Sequence, residues 1–363
     1  MRIGFVIYGS LDTLSGGYLY DRKLVEYLRA QGESVEIISL PWRNYAAHLS
    51  DNLTFKLPSH LDILIQDELN HPSLIAANTR EHPYPIISLV HHLRCSEPRP
   101  KWQNDLYRIV EKKYLQSVDG FIFNSKTTES VVNELVVNEK PSVVAYPPTD
   151  RFEGVISEGE VKERANSRDL RILFLGNVIE RKGLHTLLEA LFIIYPSTLR
   201  RGSGQAFILD IVGSLTTDTA YVKAMQRQVV VKGLSSVIHF HGALDNDRLK
   251  EMLEHAHVLV VPSSYEGFGI VYLEGMAFGL PAIGTTAGAA SEIIVDGETG
   301  YLIEPDDSKT LAARLMSLAN DRDMLARMAV NALRRYQVQP KWEQTAKSIR
   351  EYLLSVQSLA RYK

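Results

Sequence analysis

The sequence predicts an α/β protein of two domains, each built around a parallel sheet. Short β-branched or apolar runs alternate with longer helical patterns over nearly the whole chain. Strands that are apolar on both faces and separated by helices are typical of parallel sheets covered on both sides. The length of 363 residues also exceeds what one hydrophobic core usually serves, which favours two domains.

The strands can be placed one by one. In the first half they are predicted at Ile3–Tyr8, Val35–Ser39, Ile63–Gln66, Ile86–Val90, Gly120–Asn124 and Val143–Tyr146. In the second half they are predicted at Arg171–Leu175, Phe207–Val212, Val237–Phe240, His257–Val261 and Pro281–Gly284. The helices between them carry buried stripes, as in the i, i+3, i+4, i+7 spacing of Leu184, Leu187, Leu188 and Leu191.

The domain boundary is expected near residue 165. The stretch Glu158–Asp169 is rich in charge and poor in large apolar residues, as an exposed connection should be. The first domain is therefore predicted at 1–165 and the second at 166–340. Pro340 should end the preceding helix, and a last helix is expected from Trp342 to about Gln357.

Composition limits the classes of function. Apolar residues make up 45% and charged residues 23%, and the net charge is −3, so no global basic field indicates nucleic acid as a partner. The single cysteine, Cys95, fits a reducing compartment, and no apolar run approaches the roughly 20 residues of a membrane span. A cytoplasmic protein is expected, with any membrane contact peripheral and at the inner face.

The segment Pro262–Pro281 carries the most informative pattern. It follows an apolar strand, contains Gly267, Phe268 and Gly269, and turns helical at about Ile270. A glycine-rich turn before a helix N-terminus favours phosphate binding. Glu266 and Glu274 flank this turn, and their carboxylates can accept hydrogen bonds from sugar and ribose hydroxyls. Either glutamate alone would more often be a solvated surface residue.

A second signal lies directly after the strand Arg171–Leu175. Arg181 and Lys182 occupy the loop between this strand and a strongly apolar helix. Cations there can neutralise a diphosphate and stabilise it as it leaves. An isolated Arg-Lys pair is usually just a solvated loop, but this pair precedes the glutamate segment in the same half.

Two weaker signals lie in the first half. Gly16 and Gly17, before the first helix, allow close approach of the backbone to a ligand, although a plain turn explains them equally well. His91 and His92 end the strand Ile86–Val90, where one of them can hydrogen-bond a sugar hydroxyl. The alternative is a structural histidine.

Together these features resemble the GT-B superfamily of nucleotide-sugar transferases, in particular the large retaining glycosyltransferase family 4, also called glycosyl transferases group 1. The most specific element is the pair Glu266 and Glu274, with seven residues between them. The loop Gly176–Gly183, the segment Ile294–Pro305 and the last helix also look like this family. The resemblance implies two Rossmann-like domains facing across a cleft, with the C-terminal helix (341–363) crossing back to the N-terminal, acceptor-side domain.

The resemblance also implies a role for each residue. Arg181 and Lys182 would contact the donor diphosphate, Glu274 the ribose hydroxyls, and Glu266 the hydroxyls of the transferred sugar. Backbone groups of Gly267, Phe268, Gly269 and Ile270 would grip sugar and phosphate, and Gly16 and Gly17 would approach the diphosphate from the other domain. His91 matches the family's cleft histidine better than His92, which stands where members often carry aspartate.

The implied reaction is front-face transfer with retention, in which the leaving phosphate oxygen helps to deprotonate the acceptor hydroxyl. No covalent nucleophile, cofactor or metal is expected, and the donor itself is the nucleotide-diphosphate sugar. The acceptor is a glycan, a lipid-linked sugar or a small molecule, as in polysaccharide or glycolipid biosynthesis. Two alternatives stay open: a nucleotide-sugar epimerase, and a catalytically silent partner in a transferase assembly.

One basic and aromatic stretch stands outside this pattern. Arg99, Lys101, Trp102, Lys112 and Lys113 belong to it. It is either a peripheral membrane or acceptor-binding face, or the solvated face of a helix. The motif Asp245–Asp247 has a metal-binding form, but it precedes a helix, where aspartate is simply a good N-cap.

Overall fold

The structure is a computed structural model that describes residues 1–13, 15–137, 139–148, 150–152, 156–201 and 207–360. The chain divides into two compact units. The first consists of Met1–Pro148 and Pro340–Lys363, and the second of Thr149–Gln339. Within the described ranges, no helix is both long and apolar enough to cross a bilayer.

The first unit is built on a six-stranded parallel sheet in the order β2-β1-β3-β4-β5-β6. Its strands are β1 (Arg2–Tyr8), β2 (Ser34–Leu40), β3 (Ile63–Asp67), β4 (Ile86–Val90), β5 (Gly120–Phe123) and β6 (Ser142–Val144). The central strands β3, β4 and β5 are buried at every residue, as the runs of apolar residues predict. The strand order reverses between β1 and β3.

Helices cover the sheet of the first unit. They are α1 (Gly16–Ala30), α2 (Tyr45–Asp51), α3 (His71–Asn78), α4 (Lys101–Ser117) and α5 (Lys126–Leu135). The last helix of the chain, α13 (Trp342–Ala360), belongs to this unit as well. Its Ile349 and Leu353 are fully buried in the same core cluster as Ile3 and Leu24, so the C-terminal residues complete the core of the N-terminal ones.

The second unit has its own six-stranded parallel sheet in the order β12-β11-β10-β7-β8-β9. Its strands are β7 (Leu170–Leu175), β8 (Phe207–Val212), β9 (Ile238–Gly242), β10 (Val258–Val260), β11 (Ala282–Thr285) and β12 (Gly300–Ile303). The chain starts at β7, builds outward through β8 and β9, and then returns to add β10 on the other side of β7. The strand order therefore reverses between β7 and β10.

The helices of the second unit are α6 (Glu158–Ala165), α7 (Leu184–Arg201), α8 (Thr219–Val231), α9 (Asn246–His255), α10 (Ile270–Met276), α11 (Ser308–Asn320) and α12 (Arg322–Gln337). Asp245 caps α9 by accepting a hydrogen bond from the Arg248 amide, as expected of an N-cap. Pro340 lies between α12 and α13, where the helix break is predicted.

Two features differ from the prediction. The strand β12 was not anticipated, because it is only four residues long and lies at the edge of its sheet. The change of unit falls at Pro148 rather than near residue 165, since Glu158–Asp169 is not an exposed connection. Most of it is the helix α6, whose Val161 is buried in one cluster with Val330 and Leu333 of α12.

Candidate donor-binding site

The second unit brings two predicted loops together at the reversal of its strand order. The first loop, Gly176–Gly183, follows β7, and the second loop, Pro262–Gly269, follows β10. These strands are direct neighbours, so both loops lie at the same edge of the sheet. In open α/β sheets, ligands bind outside the carboxyl ends of the strands at such a reversal.

The two loops pack so closely that a glycine is required between them. Gly183 has a φ of 71°, and a Cβ placed on it would lie 2.0 Å from the carbonyl oxygen of Pro262. Further bonds join the loops: the Arg181 guanidinium donates to the Tyr265 carbonyl at 2.8 Å, and the Ser264 amide donates to the Arg181 carbonyl at 2.8 Å. The sequence predicted a phosphate contact for Arg181, and the structure adds this tie between the loops.

A buried ion pair lies at the centre of this edge. Lys182 Nζ donates to Glu266 Oε2 at 2.6 Å, and each of the two side chains is only 12% exposed. Ser263 Oγ donates to the same oxygen at 3.0 Å, so neither bond uses Oε1. Sequence reasoning named Lys182 and Glu266 separately, and the structure brings them into contact.

Burial and the partner's charge have opposite effects on the pKa of each member of this pair. Burial would raise the pKa of Glu266, but the positive charges of Lys182 and Arg181 outweigh burial and lower it. Burial lowers the pKa of Lys182, and the Glu266 carboxylate opposes that change. A desolvated cation of this kind interacts strongly with any anion that reaches it.

The backbone of Glu266 is fixed by a neighbouring segment. The Ala289 amide donates to the Glu266 carbonyl at 2.8 Å, and the Glu266 amide donates to the Ala287 carbonyl at 3.3 Å. Gly288, between these two residues, has a φ of 88°, and a Cβ there would lie 2.1 Å from the Glu266 carbonyl oxygen. The backbone position of Glu266 is thus set by main-chain contacts that the sequence did not reveal, while Lys182 and Ser263 hold its carboxylate.

The helix α10 begins where the sequence predicts. Gly269 precedes it with a φ of 93°, and Ile270 is its first residue. Phe268 is buried, and the Tyr272 hydroxyl donates to the Val261 carbonyl at 2.7 Å, which holds the helix against the end of β10. Because the helix has only seven residues, it serves mainly to position its side chains and supplies only a small helix dipole.

Glu274, on α10, has a partner that the sequence did not indicate. Arg151 Nη1 donates to Glu274 Oε1 at 2.7 Å, and Arg151 Nη2 donates to Asn246 Oδ1 at 2.9 Å. Burial raises the pKa of Glu274, and Arg151 counteracts part of that rise. Glu266 and Glu274 therefore bind different cations. Arg151 is 123 positions from Glu274 in the chain, so no local motif could have linked them.

In the first unit, the structure places two of the predicted residues side by side. Ser15 caps α1, which begins at Gly16. A Cβ on Gly17 would lie 3.3 Å from His91 Cδ2, so this glycine leaves room for the imidazole. His91 Nε2 lies 3.0 Å from Asp21 Oδ1, whereas His92 Nε2 contacts the Glu97 carboxylate at 2.9 Å.

Three acids surround the His91 imidazole. Burial alone would lower the pKa of His91, but the charges of Asp21, Asp67 and Glu68 raise it to about 9. Burial and the neighbouring Asp21 charge raise the pKa of Asp67 to about 7, and burial raises the pKa of Glu68 to about 8. His91 is therefore cationic at neutral pH and able to donate a hydrogen bond.

Two groups in the first unit have the composition of a cation site. Donor atoms of Asp21, Asp67 and His91 lie within 4.8 Å of one another, and a second such group comprises Glu68, His71 and Glu111. In the first group the imidazolium already supplies a positive charge. In the second, burial lowers the pKa of His71 to about 4, and His71 Nδ1 lies 3.1 Å from the Glu68 carbonyl oxygen. The negative charge is therefore reduced in the first group by the imidazolium of His91 and in the second by the raised pKa of Glu68.

Comparisons with known proteins agree with this picture. Residues 156–335 match the family described as "Glycosyl transferases group 1". D-inositol 3-phosphate glycosyltransferase of Streptomyces avermitilis is 26% identical over 232 residues, which are 62% of this chain and 50% of that protein. Glycogen synthase of Mycobacterium tuberculosis is 29% identical over 192 residues, which are 53% of this chain and 44% of that protein. The chain spans about half the length of such curated relatives.

Solved structures resemble the whole chain. Sucrose-phosphate synthase from Thermosynechococcus elongatus has a TM-score of 0.80 at 20% identity and covers 99% of both chains. Anabaena HepE, solved with UDP and glucose, has a TM-score of 0.73 at 18% identity and covers 98% of this chain and all of its own. These likenesses and the two parallel sheets confirm the predicted GT-B fold. Residues 156–335, which lie in the second unit, match the glycosyl transferases group 1 family.

Proposed function

We propose that this protein is a retaining glycosyltransferase that moves a sugar from a nucleotide-sugar donor to an acceptor hydroxyl. The observation that carries the proposal is the buried Lys182–Glu266 pair at the reversal between β7 and β10. A desolvated cation held against a carboxylate at this edge suits a ligand that joins an anionic diphosphate to a sugar with hydroxyl donors. The match of residues 156–335 to the glycosyl transferases group 1 family supports the same conclusion.

Each group of the site has a part in the proposal. Lys182 and Arg181 bind the diphosphate, with help from the backbone of Gly267, Phe268, Gly269 and Ile270. Glu266 accepts hydrogen bonds from the transferred sugar, for which Oε1 is suited because the bonds from Lys182 and Ser263 end on Oε2. Glu274 accepts hydrogen bonds from the ribose.

In the first unit, His91 and the adjoining backbone of Gly16 and Gly17 are proposed to contact the donor. The imidazolium donates a hydrogen bond to a sugar hydroxyl, since its pKa of about 9 keeps it protonated at neutral pH. Gly17 supports this role because its missing side chain leaves space beside His91.

The proposed chemistry breaks the bond between the anomeric carbon and the diphosphate oxygen. The acceptor oxygen forms its new bond on the same face of the sugar, and the acceptor proton passes to the leaving phosphate oxygen. Lys182 and Arg181 stabilise the charge that develops on the diphosphate. Orientation of donor and acceptor supplies the rest of the rate enhancement.

The first test is thermal unfolding of the protein with nucleoside diphosphates and nucleotide sugars, beginning with UDP because HepE was solved with it. A ligand that binds only the native state raises the melting temperature. Lys182→Met and Glu274→Ala should lose the shift. Lys250→Met should keep it, because Lys250 belongs to an exposed pair with Glu254. A wild type that no nucleotide stabilises would contradict the proposal.

A second test separates transfer from the two alternatives. The stabilising nucleotide sugar is incubated with candidate acceptors, and the products are followed by mass spectrometry and proton NMR. A transferase releases nucleoside diphosphate and forms an α-linked product from an α-linked donor. An epimerase would change the donor sugar without acceptor, and a silent partner would bind the donor but leave it intact.

An exposed face of α4 favours a membrane-associated acceptor. Trp102, Leu106 and Ile109 are all at least half exposed, and they follow one another at i, i+4 and i+7 on one side of the helix. Lys112 and Lys113 are exposed on the same helix. Apolar side chains beside basic ones suit an anionic bilayer surface. We therefore propose a cytoplasmic enzyme that contacts the inner face of the membrane.

Sedimentation with phosphatidylglycerol vesicles tests this face. The wild type should bind, binding should weaken with added salt, and phosphatidylcholine vesicles should bind less. Trp102→Ser with Ile109→Ser should reduce binding at least several-fold. Val231→Ser, at an exposed apolar residue of the second unit, serves as the control. Equal sedimentation of all variants would contradict a role for α4.

A further inference from the structure

Arg151 is the charged partner of a carboxylate that is otherwise buried. The Glu274 side chain is only 4% exposed, and it accepts its bond from Arg151 at 2.7 Å. Among the described residues, Arg151 is the charged side chain whose field acts on Glu274. A buried carboxylate without a counterion takes up a proton and ceases to be a full acceptor.

Arg151 itself is held from more than one side. Its second arm donates to Asn246 Oδ1 at 2.9 Å, and Asn246 is the first residue of α9. The guanidinium lies 5.1 Å from the ring centroid of Phe152, and that ring contacts Phe278 with centroids 5.5 Å apart. The planar guanidinium is therefore fixed by an amide, a carboxylate and an aromatic ring.

The geometry leaves part of Glu274 available. Arg151 bonds to Oε1, so this bond does not use Oε2. A carboxylate held by arginine through one oxygen can still accept hydrogen bonds through the other. A ribose that bound Glu274 would therefore not have to displace Arg151.

We propose that Arg151 is a positioning residue of the nucleotide site, which holds Glu274 ionised and oriented to accept the ribose hydroxyls. The inference rests on the proposed function, because it takes Glu274 to be the ribose acceptor. It assigns a role to a residue outside the motifs of the two loops. The opposing hypothesis is a plug, in which Arg151 occupies the ribose position and must leave before a nucleotide binds.

The two hypotheses predict opposite changes in affinity. Binding of UDP and of 2′,3′-dideoxy-UDP, which lacks the ribose hydroxyls, is measured by calorimetry. Arg151→Met should weaken UDP binding by roughly tenfold or more, the scale of a hydrogen bond to a charged group, and barely change binding of the dideoxy analogue. Arg151→Lys should recover part of the loss. A plug predicts tighter UDP binding by Arg151→Met.

The dependence on pH adds a readout that a purely structural role would not change. Without Arg151, the raised pKa of Glu274 rises further, so UDP binding by Arg151→Met should improve as the pH increases from about 6 to about 8.5. Wild-type binding should depend less on pH over this range. Arg334→Met is the matched control, because Arg334 forms an exposed pair with Glu158 in the same unit.

Each outcome supports or overturns a distinct statement. Equal losses for UDP and its dideoxy analogue, unchanged UDP binding, or tighter UDP binding by Arg151→Met would overturn the positioning role alone. A wild type that binds no nucleoside diphosphate of any base would overturn the proposed function, and the positioning role with it. If UDP is not the preferred base, the same pair of ligands is made from the diphosphate that binds.

Discussion

Removing one member of the Lys182–Glu266 pair should destabilise the second unit strongly. In Glu266→Gln, the Lys182 ammonium stays buried without its counterion, 12% exposed and still beside Ser263. Breaking a buried pair from one side costs about 3–5 kcal/mol. Glutamine keeps the volume and one acceptor oxygen, so we expect a loss of about 3 kcal/mol in the free energy of unfolding.

Removing both charges together should restore much of that stability. A buried pair replaced by uncharged groups of similar volume is often close to neutral. The double variant Lys182→Met with Glu266→Gln should therefore be about 2 kcal/mol more stable than the sum of its single variants predicts. UDP binding should be lost in Lys182→Met and in the double variant, because both lack the cation proposed to bind the diphosphate.

Hydrogen exchange followed by mass spectrometry can measure these losses within the second unit. Slowly exchanging amides of β7 and β10 report its unfolding free energy. Glu254→Gln is the control, since Glu254 and Lys250 are each 42% exposed and 3.8 Å apart, a pair worth less than about 1 kcal/mol. If the double variant lost as much unfolding free energy as the two single variants added together, the two buried charges would not stabilise each other.

Three further predictions follow from single contacts. The Asp21–His91 pair should stabilise the first unit fully below about pH 6.5 and lose its effect as the pH rises through about 9. The reason is that the pKa of His91 is raised from 6.5 to about 9. Melting temperatures of wild type and Asp21→Asn at several pH values measure this effect. Gly288→Ala should lower the free energy of unfolding by about 1–3 kcal/mol and weaken nucleotide binding. Gly297→Ala is the control and should lower it less, because Gly297 has a φ of 77° but no atom within 4 Å of the added Cβ. Burial raises the pKa of the Cys95 thiol, so a thiol reagent should label it slowly in the native protein and rapidly in urea.

Each of these has an outcome that contradicts it. A difference between wild type and Asp21→Asn that stays constant from pH 6 to pH 10 would mean that His91 does not carry the charge. Equal losses at Gly288 and Gly297 would mean that the close approach to the Glu266 carbonyl is unimportant. Fast labelling of the native thiol would mean that its surroundings open readily.

The elements that could be predicted from the sequence are those whose signals are local. Ile86–Val90 and Phe207–Val212 form strands with the predicted bounds, because each run is apolar except for one residue, Ser88 or Asp210, and ends abruptly. β12 was missed because a four-residue edge strand carries too few apolar positions to stand out. In Glu158–Ala165, only Val161 and Ala165 are buried. The many charged residues made this helix resemble an exposed connection in the sequence.

For the site, motifs identified residues but not their partners. Lys182 and Glu266 were both named, yet their contact depends on β7 and β10 being neighbours, which no stretch of sequence states. Arg151 has no motif at all, and its significance depends on a carboxylate 123 positions away. Likewise, Gly17 was predicted to approach a ligand, with a plain turn as the alternative, but only the packing shows that it makes room for His91.

The place of α13 has a consequence for the order in which the chain folds during synthesis. Ala346, Ile349, Leu353 and Val356 lie in the core of the first unit, with at most 5% of each side chain exposed. A ribosome delivers these residues only after all of the second unit has been made. Until then one face of the N-terminal sheet is covered by α1 but lacks α13, so newly made chains should expose apolar surface in their first 148 residues while the second unit folds.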